Sequence, residues 1–177
     1  MGTGNAWVLY GGVLAQTMAD GALVCHQLPS ELRSIEEKSW SIGPFTGIPI
    51  RDFGMDPSED VLVLIENINN AGYVVGFSKV GEYMIHYKNR IILPNNTNIY
   101  HRLHLRSLSS GKSHPLALRC PILELPHLKG IDLDHNYSIE VSGNIIVLLI
   151  AGAQAQIVIW DWKTNALLCV RLLNTSA

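Results

Sequence analysis

The sequence repeats itself at long range, and this repetition restricts the possible folds more than any other feature. Residues Met55–Ile65 match Ile139–Leu149 at a constant offset of 84, apolar on apolar and turn former on turn former. Leu105–Gly111 matches Ile159–Asn165 in the same way at an offset of 54. A fainter copy occupies residues 11–30. Each copy has the order strand, turn, strand, turn, and three copies indicate a repeat architecture.

The spacing between the copies becomes regular once one segment is set aside. Residues 67–100, which are rich in Asn, match nothing in the other copies and are interpreted as an insertion. Without them the copies recur about every 50 residues, a period typical of the blades of a β-propeller. The predicted repeats are therefore 1–43, 44–118 with the insertion at about 67–100, and 119–177.

Local patterns predict β-strands almost throughout the chain. Short runs of β-branched residues and leucine, bounded by turn formers, occupy Val61–Ile65, Ile145–Ile150 and Ile157–Trp160. The best helical candidate, Ser30–Lys38, is at most one or two turns long. We therefore expect an all-β fold, a partial β-propeller of about three blades with one long insertion.

Charge and composition argue against several classes of partner and compartment. Thirteen basic and 15 acidic side chains give a net charge of −2, so neither nucleic acid nor an anionic membrane is expected as a partner. The longest apolar run, Ile145–Ala151, is far shorter than the ~20 residues of a spanning helix, and the N-terminus lacks a signal-peptide pattern. Cys25, Cys120 and Cys169 fit no disulfide framework. A reducing compartment, cytoplasm or nucleus, is therefore expected.

Two pairs of neighbouring residues suggest chemistry at first sight. His101 and His104 would make a metal pair, but residues three apart in a strand point to opposite faces. Cys25 and His26 would make a nucleophile and its base, but adjacent strand residues also diverge. The sequence therefore favours a core cysteine and predicts no metal site at the histidines.

A third pair, Asp132 and His135, could serve as acid and base. It follows Pro126 and Gly130, however, in a segment whose composition is typical of a loop between repeats. No glycine-rich motif of a nucleotide-binding site occurs in the chain. We therefore expect no catalytic residues and no cofactor.

Four residues are expected to have structural roles. Trp160 and Trp162 share one face of a strand, where packing between neighbouring blades is favoured over a stacking platform. Asp161 alternates to the other face, and Gly143 lies in the turn before the strand that begins at Ile145. The sequence assigns no residue to partner binding.

A family resemblance rests on particular phrases. Trp160-Asp161 followed by Lys-Thr-Asn resembles the end of a WD repeat, and Asp56–Asp60 resembles the turn between its inner strands. Outside residues 67–100 and about 119–136, the chain resembles the WD-repeat-like propeller region of fungal F-box proteins. The phrases that carry this resemblance are WVLYGGVLAQ, QLPSELRSIEEKSW, IPIRDFGMDPSEDVLVLIE, RLHLRSLSSGKSHPLA and IVIWDWKTNALL.

The resemblance implies a non-enzymatic protein-interaction module, similar to the substrate-recognition propeller of F-box proteins in ubiquitin ligase complexes. The helical F-box that docks on the ligase adaptor is not expected before Trp7. Two alternatives stay open: a truncated or decayed family copy without its own activity, and a small hydrolase. About three blades would leave apolar end faces open, so a protein partner or self-association through the end blades is expected.

Overall fold

β-Strands make up most of the described chain. The computed structural model describes residues 6–66, 76–80, 83–87, 100–117, 121–126, 136–151 and 155–173. Within these ranges there is no α-helix, and the helical turns are short 3-10 turns at Glu31–Arg33, Pro57–Glu59 and Pro115–Ala117. The prediction of an all-β fold is confirmed.

The first sheet is an antiparallel meander whose four strands follow one another in sequence order. They are β1 (Trp7–Tyr10), β2 (Val13–Thr17), β3 (Leu23–Gln27) and β4 (Lys38–Ile42). Gly11 and Gly12 form the two-residue turn between β1 and β2, with φ of +57° and +81°. Two positive φ values are what a tight type I′ hairpin requires, and glycine adopts them without steric cost.

The second sheet is also an antiparallel meander, interrupted once in sequence. Its strands are β5 (Ile50–Asp56), β6 (Val61–Glu66), β9 (Tyr100–Ser107) and β10 (Ile122–Pro126), in that spatial order. Between β6 and β9, the strands β7 (Gly76–Val80) and β8 (Tyr83–Tyr87) pair with each other as a separate hairpin. β6 pairs directly with β9, so the four-stranded sheet is continuous although a long segment separates these two strands in sequence.

The third sheet repeats the same order without interruption. Its strands are β11 (Asn136–Ser142), β12 (Ile145–Ala151), β13 (Ala155–Asp161) and β14 (Ala166–Leu173). Gly143, with φ of +57°, takes the first place in the two-residue turn between β11 and β12. The three sheets do not close into a ring within the described residues.

The second sheet lies between the other two, and β6 shows this most clearly. All five residues from Val61 to Ile65 are fully buried, which is why this strand is continuously apolar rather than alternating. Its two faces belong to two separate cores. Val61, Val63 and Ile65 pack with the third sheet, whereas Leu62 and Leu64 pack with the first.

The first strands of the three sheets are neighbours. β5 contacts both β1 and β11. Gly54 allows the close approach on one side, because a Cβ there would lie 3.0 Å from the Cγ2 of Ile139. A larger residue at this position would push β11 away from β5.

Two details differ from the repeat predicted from spacing. β10 begins after the predicted boundary at residue 118 but pairs with β9, so it belongs to the second sheet and not to the third repeat. Equivalent residues of β6 and β12 are 84 residues apart, as predicted. Equivalent residues of β5 and β11 are 86 apart, because Asp56 and Ser142 both end their strands. The turn after Asp56 is two residues longer, and a shift of two keeps every side chain on its face.

Candidate protein-binding surface

The outer face of the third sheet is apolar and solvent-accessible. Along β12 and β13, side chains alternate between buried residues that face the second sheet and partly exposed residues that face away from it. Neither of the two apolar cores of the described chain includes these outward side chains. We define the third-sheet outer face by its five apolar residues, Ile145, Val147, Leu149, Ile157 and Ile159.

The edge strand β14 carries apolar residues on both of its faces. Leu173, opposite Ala155, lies on the outer face, whereas Leu167, Val170 and Leu172 pair with Trp160, Val158 and Gln156 and lie on the other face. β14 pairs with β13 on one side, and no strand in the described ranges pairs with its other side. Its large apolar side chains are between 38% and 55% exposed. These residues are Leu167, Leu168, Val170, Leu172 and Leu173.

Polar residues surround the outer face on two sides. Glu140 is exposed on β11, and Arg171 is exposed on β14 opposite Ile157. The Asp161 carboxylate lies at the end of β13 and accepts hydrogen bonds from Asn144 Nδ2 at 2.8 Å and from the N–H of Lys163 at 3.0 Å. An apolar centre within a polar margin is the usual composition of a protein-binding surface.

The outer face has a covered counterpart within the same molecule. Val61, Val63 and Ile65 of the second sheet stand 84 residues before Ile145, Val147 and Leu149 and occupy the same places in their strand. These three residues of β6 are fully buried against the third sheet. The third sheet therefore presents to solvent the kind of face that the second sheet buries.

The structure places all four predicted structural residues at one end of the third sheet. Trp160 and Trp162 are 3% and 1% exposed and lie in the core between the second and third sheets. Trp162 Nε1 donates to the Gly143 carbonyl at 2.9 Å, and Asp161 holds the turn that follows β13. The hydrogen bond from Asn144 is the largest influence on Asp161 and lowers the pKa of its carboxyl.

The cysteine–histidine pair does not form a nucleophilic site. Cys25 is buried toward the second sheet, and burial raises the pKa of its thiol to about 11. His26 points to the opposite face, where its Nδ1 lies 2.8 Å from the Ser39 hydroxyl. A thiol with this pKa is protonated at neutral pH and is a poor nucleophile.

Of the two paired histidines, His104 is described and is buried beside a carboxylate. Its Nε2 lies 3.0 Å from Glu66 Oε2, and Arg102 lies 3.7 Å from the other oxygen of Glu66. The His101 side chain and the pair Asp132 and His135 lie outside the described residues. Among the side chains that are described, no three His, Cys, Asp or Glu residues are placed to hold a metal ion.

Sequence patterns did not indicate the role of two acidic residues, Asp56 and Asp60. Asp60 accepts hydrogen bonds from the Ser107 hydroxyl at 2.6 Å and from the N–H and hydroxyl of Ser109. Asp56 accepts from Ser58 and, across the sheets, from the N–H of Gly143. Both lie in a turn rich in Asp, Pro and Ser. That composition is the sequence feature that could have indicated side chains bonded to the backbone of a turn.

A groove lies at the end of the first two sheets that is opposite to the Asp56 turn. It has a volume of about 660 Å³ and lies between the β2–β3 turn and the segment 44–51. Asp20 on its margin already accepts a hydrogen bond from the Ala22 N–H, and the Arg51 guanidinium lies 4.7 Å from the centre of the Tyr137 ring. The groove does not bring these charged groups together as a catalytic or ligand site would.

Comparison with known proteins gives no independent indication of function. No known family model matches the chain, and no curated protein matches it. Across the described ranges, no helix has the length and apolar character needed to cross a membrane.

Proposed function

We propose that this chain is a non-enzymatic protein-interaction module built as part of a WD-repeat-like β-propeller. Three four-stranded antiparallel meanders lie side by side, with their first strands as neighbours, which is the arrangement of consecutive propeller blades. The resemblance to the propeller region of fungal F-box proteins supports the same class of partner, a protein that is recognised without a chemical step.

The observation that carries this proposal is the third-sheet outer face. Its five apolar residues form a continuous surface on two neighbouring strands, and Leu173 of β14 extends it. Proteins in water tend to cover contiguous apolar surface with a partner, because burying it is favourable by roughly 25 cal/mol per Å². Its polar margin of Glu140, Asp161 and Arg171 suits a protein surface.

The edge of β14 supplies a second mode of contact to the same partner. An unpaired strand edge offers a row of backbone N–H and C=O groups to an added strand, and the apolar side chains on both sides of β14 would then be buried. Cys25, the nucleophile candidate among the described residues, has a buried and protonated thiol, which supports a role in the core.

Site-specific photo-cross-linking tests the proposal in cells. The photoreactive residue p-benzoylphenylalanine is placed at Ile159 on the outer face or, as a control, at Leu32, which is fully exposed but belongs to a distant 3-10 turn. We expect discrete protein adducts from Ile159 and none from Leu32, and Val147→Glu should remove the adducts. The same background from both positions, or adducts that persist with Val147→Glu, would show that the outer face is not a binding surface.

A further inference from the structure

The three sheets all face the same way along the chain. We call the side of a sheet that points to the next sheet its forward face and the other side its backward face. The forward face of the first sheet, which includes Val13, Ala15 and Leu23, packs on the backward face of the second, which includes Phe53 and Leu62. One type of contact, forward face on backward face, joins this pair of sheets.

The second and third sheets meet in the same sense. The forward side chains of β6 and β9, such as Val63 and Leu105, pack against the backward side chains of β11 to β13, such as Leu148. The backward residues of the third sheet in this core are Val141, Ile146, Leu148, Ile150, Val158 and Trp160.

Among the described residues, two sheet faces have no other sheet packed against them. One is the forward face of the third sheet, which is the third-sheet outer face. The other is the backward face of the first sheet, whose apolar residues are partly or largely exposed, including Trp7 at 67% and Leu9 at 53%. Leu14 pairs with Leu9 on that face, and Val24 lies on the next strand.

We propose that a second copy of this chain covers the third-sheet outer face with the backward face of its own first sheet. This inference rests on the proposed function, because it names the partner of the same surface. One chain carries both halves of a contact that already occurs twice within it. The contact between copies is then head-to-tail, and it closes into a ring or continues as a filament according to the rotation from sheet to sheet.

Two polar residues near the free faces, His26 and Asp161, already have hydrogen-bond partners within the chain. His26 on the backward face of the first sheet already shares a hydrogen bond with Ser39, and Asp161 near the outer face is satisfied by Asn144 and the following turn. Burying polar groups that keep their partners avoids most of the penalty for desolvation. The contact between the second and third sheets also buries a hydrogen-bonded polar group. Asp56 of β5 lies on the forward face of the second sheet and accepts a hydrogen bond from Gly143.

Head-to-tail contact differs from a symmetric contact in one decisive way. If two outer faces met each other, forward face would lie on forward face, a pairing that neither core of the described molecule contains. A symmetric contact needs one competent surface in each copy, whereas a head-to-tail contact needs two different surfaces. Variants that block one surface each can therefore separate the two arrangements.

The test uses the purified full chain, with mass measured by light scattering across the micromolar range. Val147→Glu blocks the third-sheet outer face, Leu9→Glu blocks the backward face of the first sheet, and Leu32→Glu is the matched control. Wild type and Leu32→Glu should form dimers or larger assemblies of the 19.5 kDa chain. Each blocked variant alone should be monomeric with an unchanged circular dichroism spectrum, because both side chains reach solvent in the isolated chain.

Mixing the two blocked variants gives the deciding result. Head-to-tail contact predicts that Val147→Glu and Leu9→Glu, each monomeric alone, form a 1:1 heterodimer, because one intact surface of each kind is then present. Dimers of Leu9→Glu alone would show a symmetric outer-face contact and overturn the inference. A monomeric wild type that still forms cross-links from Ile159 to other proteins would overturn it too, while leaving the proposed function in place.

Should Leu9→Glu lose its fold, Val24→Glu blocks the same face from the neighbouring strand. The mixing result has the same meaning with either variant, since both are expected to keep the outer face of the third sheet intact.

Discussion

The Asp56 carboxylate accepts a hydrogen bond of 2.8 Å from the N–H of Gly143, which joins the turn after β5 to the turn after β11. Asp56 is 3% exposed, and the same carboxylate also accepts from the N–H and the hydroxyl of Ser58. Burial acts to raise the pKa of Asp56, but these hydrogen bonds outweigh it and lower the pKa below the usual 3.8. The second and third sheets are therefore fastened to each other at this end by a charged group.

Replacing this carboxylate should weaken the fold in a pH-dependent way. Because its pKa is lower in the folded state, Asp56 stabilises the fold above its usual pKa, and the contribution is lost as the pH falls through the folded-state pKa. Asp56→Asn should cost about 1–3 kcal/mol at pH 7, the scale for losing a charged hydrogen-bond partner in a buried site. Urea unfolding at pH 7 and below pH 3.8 measures the difference, which should shrink in acid.

Asp52 is the matched control, because its shift has the opposite sign. Burial raises the pKa of Asp52, so the charged form is the disfavoured one in the folded state. Asp52→Asn should therefore leave the stability at pH 7 unchanged or raise it. An equal loss in both variants would show that the bond to Gly143 contributes nothing particular.

Trp160 and Asp161 are adjacent but should respond very differently to truncation. Trp160 lies in the core between the second and third sheets, and Trp160→Ala should cost about 3–5 kcal/mol as a large-to-small core change. Asp161 points to the outer side and holds a turn, so Asp161→Ala should cost clearly less. Thermal unfolding of both variants measures this, and equal losses would contradict the observed alternation of β13.

The segment between β6 and β9 should be dispensable for the second sheet. Ile65 pairs with Leu103, so the two strands approach each other where the segment leaves and returns, while β7 and β8 pair only with each other among the described strands. Replacing Asn69–Asn98 with a short glycine-containing turn should cost less than about 2 kcal/mol, since closing a shorter loop is favourable. Unfolding by urea measures the change, and a larger loss would place the segment in the core.

Sequence patterns predicted the strands and faces well because both follow from local periodicity. Val61–Ile65 and Ile145–Ile150 are strands as predicted, and the offset of 84 between them corresponds to equal places in two sheets. The all-β fold with three antiparallel sheets is confirmed. Closure into a propeller and the interaction role stay proposals.

Other features depend on contacts that no local pattern reveals. β10 is a short apolar run with no sequence mark of which sheet it joins, and the boundary predicted at residue 118 separates it from β9, its partner in the sheet. The bond between Asp56 and Gly143 joins residues 87 apart, and the pair formed by Glu66 and His104 joins residues 38 apart. Such contacts arise from how the sheets and strands come together, which single-strand periodicity does not encode.

The binding surface itself was anticipated only in general terms. Exposed end faces were expected from the number of repeats, but which apolar residues stay exposed depends on which face of the third sheet meets the second. Val147 and Ile146 are equally apolar in sequence, and only their packing separates the buried residue from the accessible one. The structure makes that assignment.

Cys169 offers a native probe of the outer face, because this free thiol lies opposite Ile159 on β14. In a Cys120→Ser background, its rate of labelling by a maleimide can be compared between freshly prepared cell extract and the purified chain diluted to nanomolar concentration. Cys25, buried and with its pKa raised to about 11, should stay unlabelled and reports any unfolding.

This labelling rate is the most direct test that another protein covers the third-sheet outer face. We predict that Cys169 labels several times more slowly in extract than in the diluted protein, and that Val147→Glu abolishes the difference. Equal rates for the wild-type chain under both conditions, with Cys25 unlabelled throughout, would contradict the account.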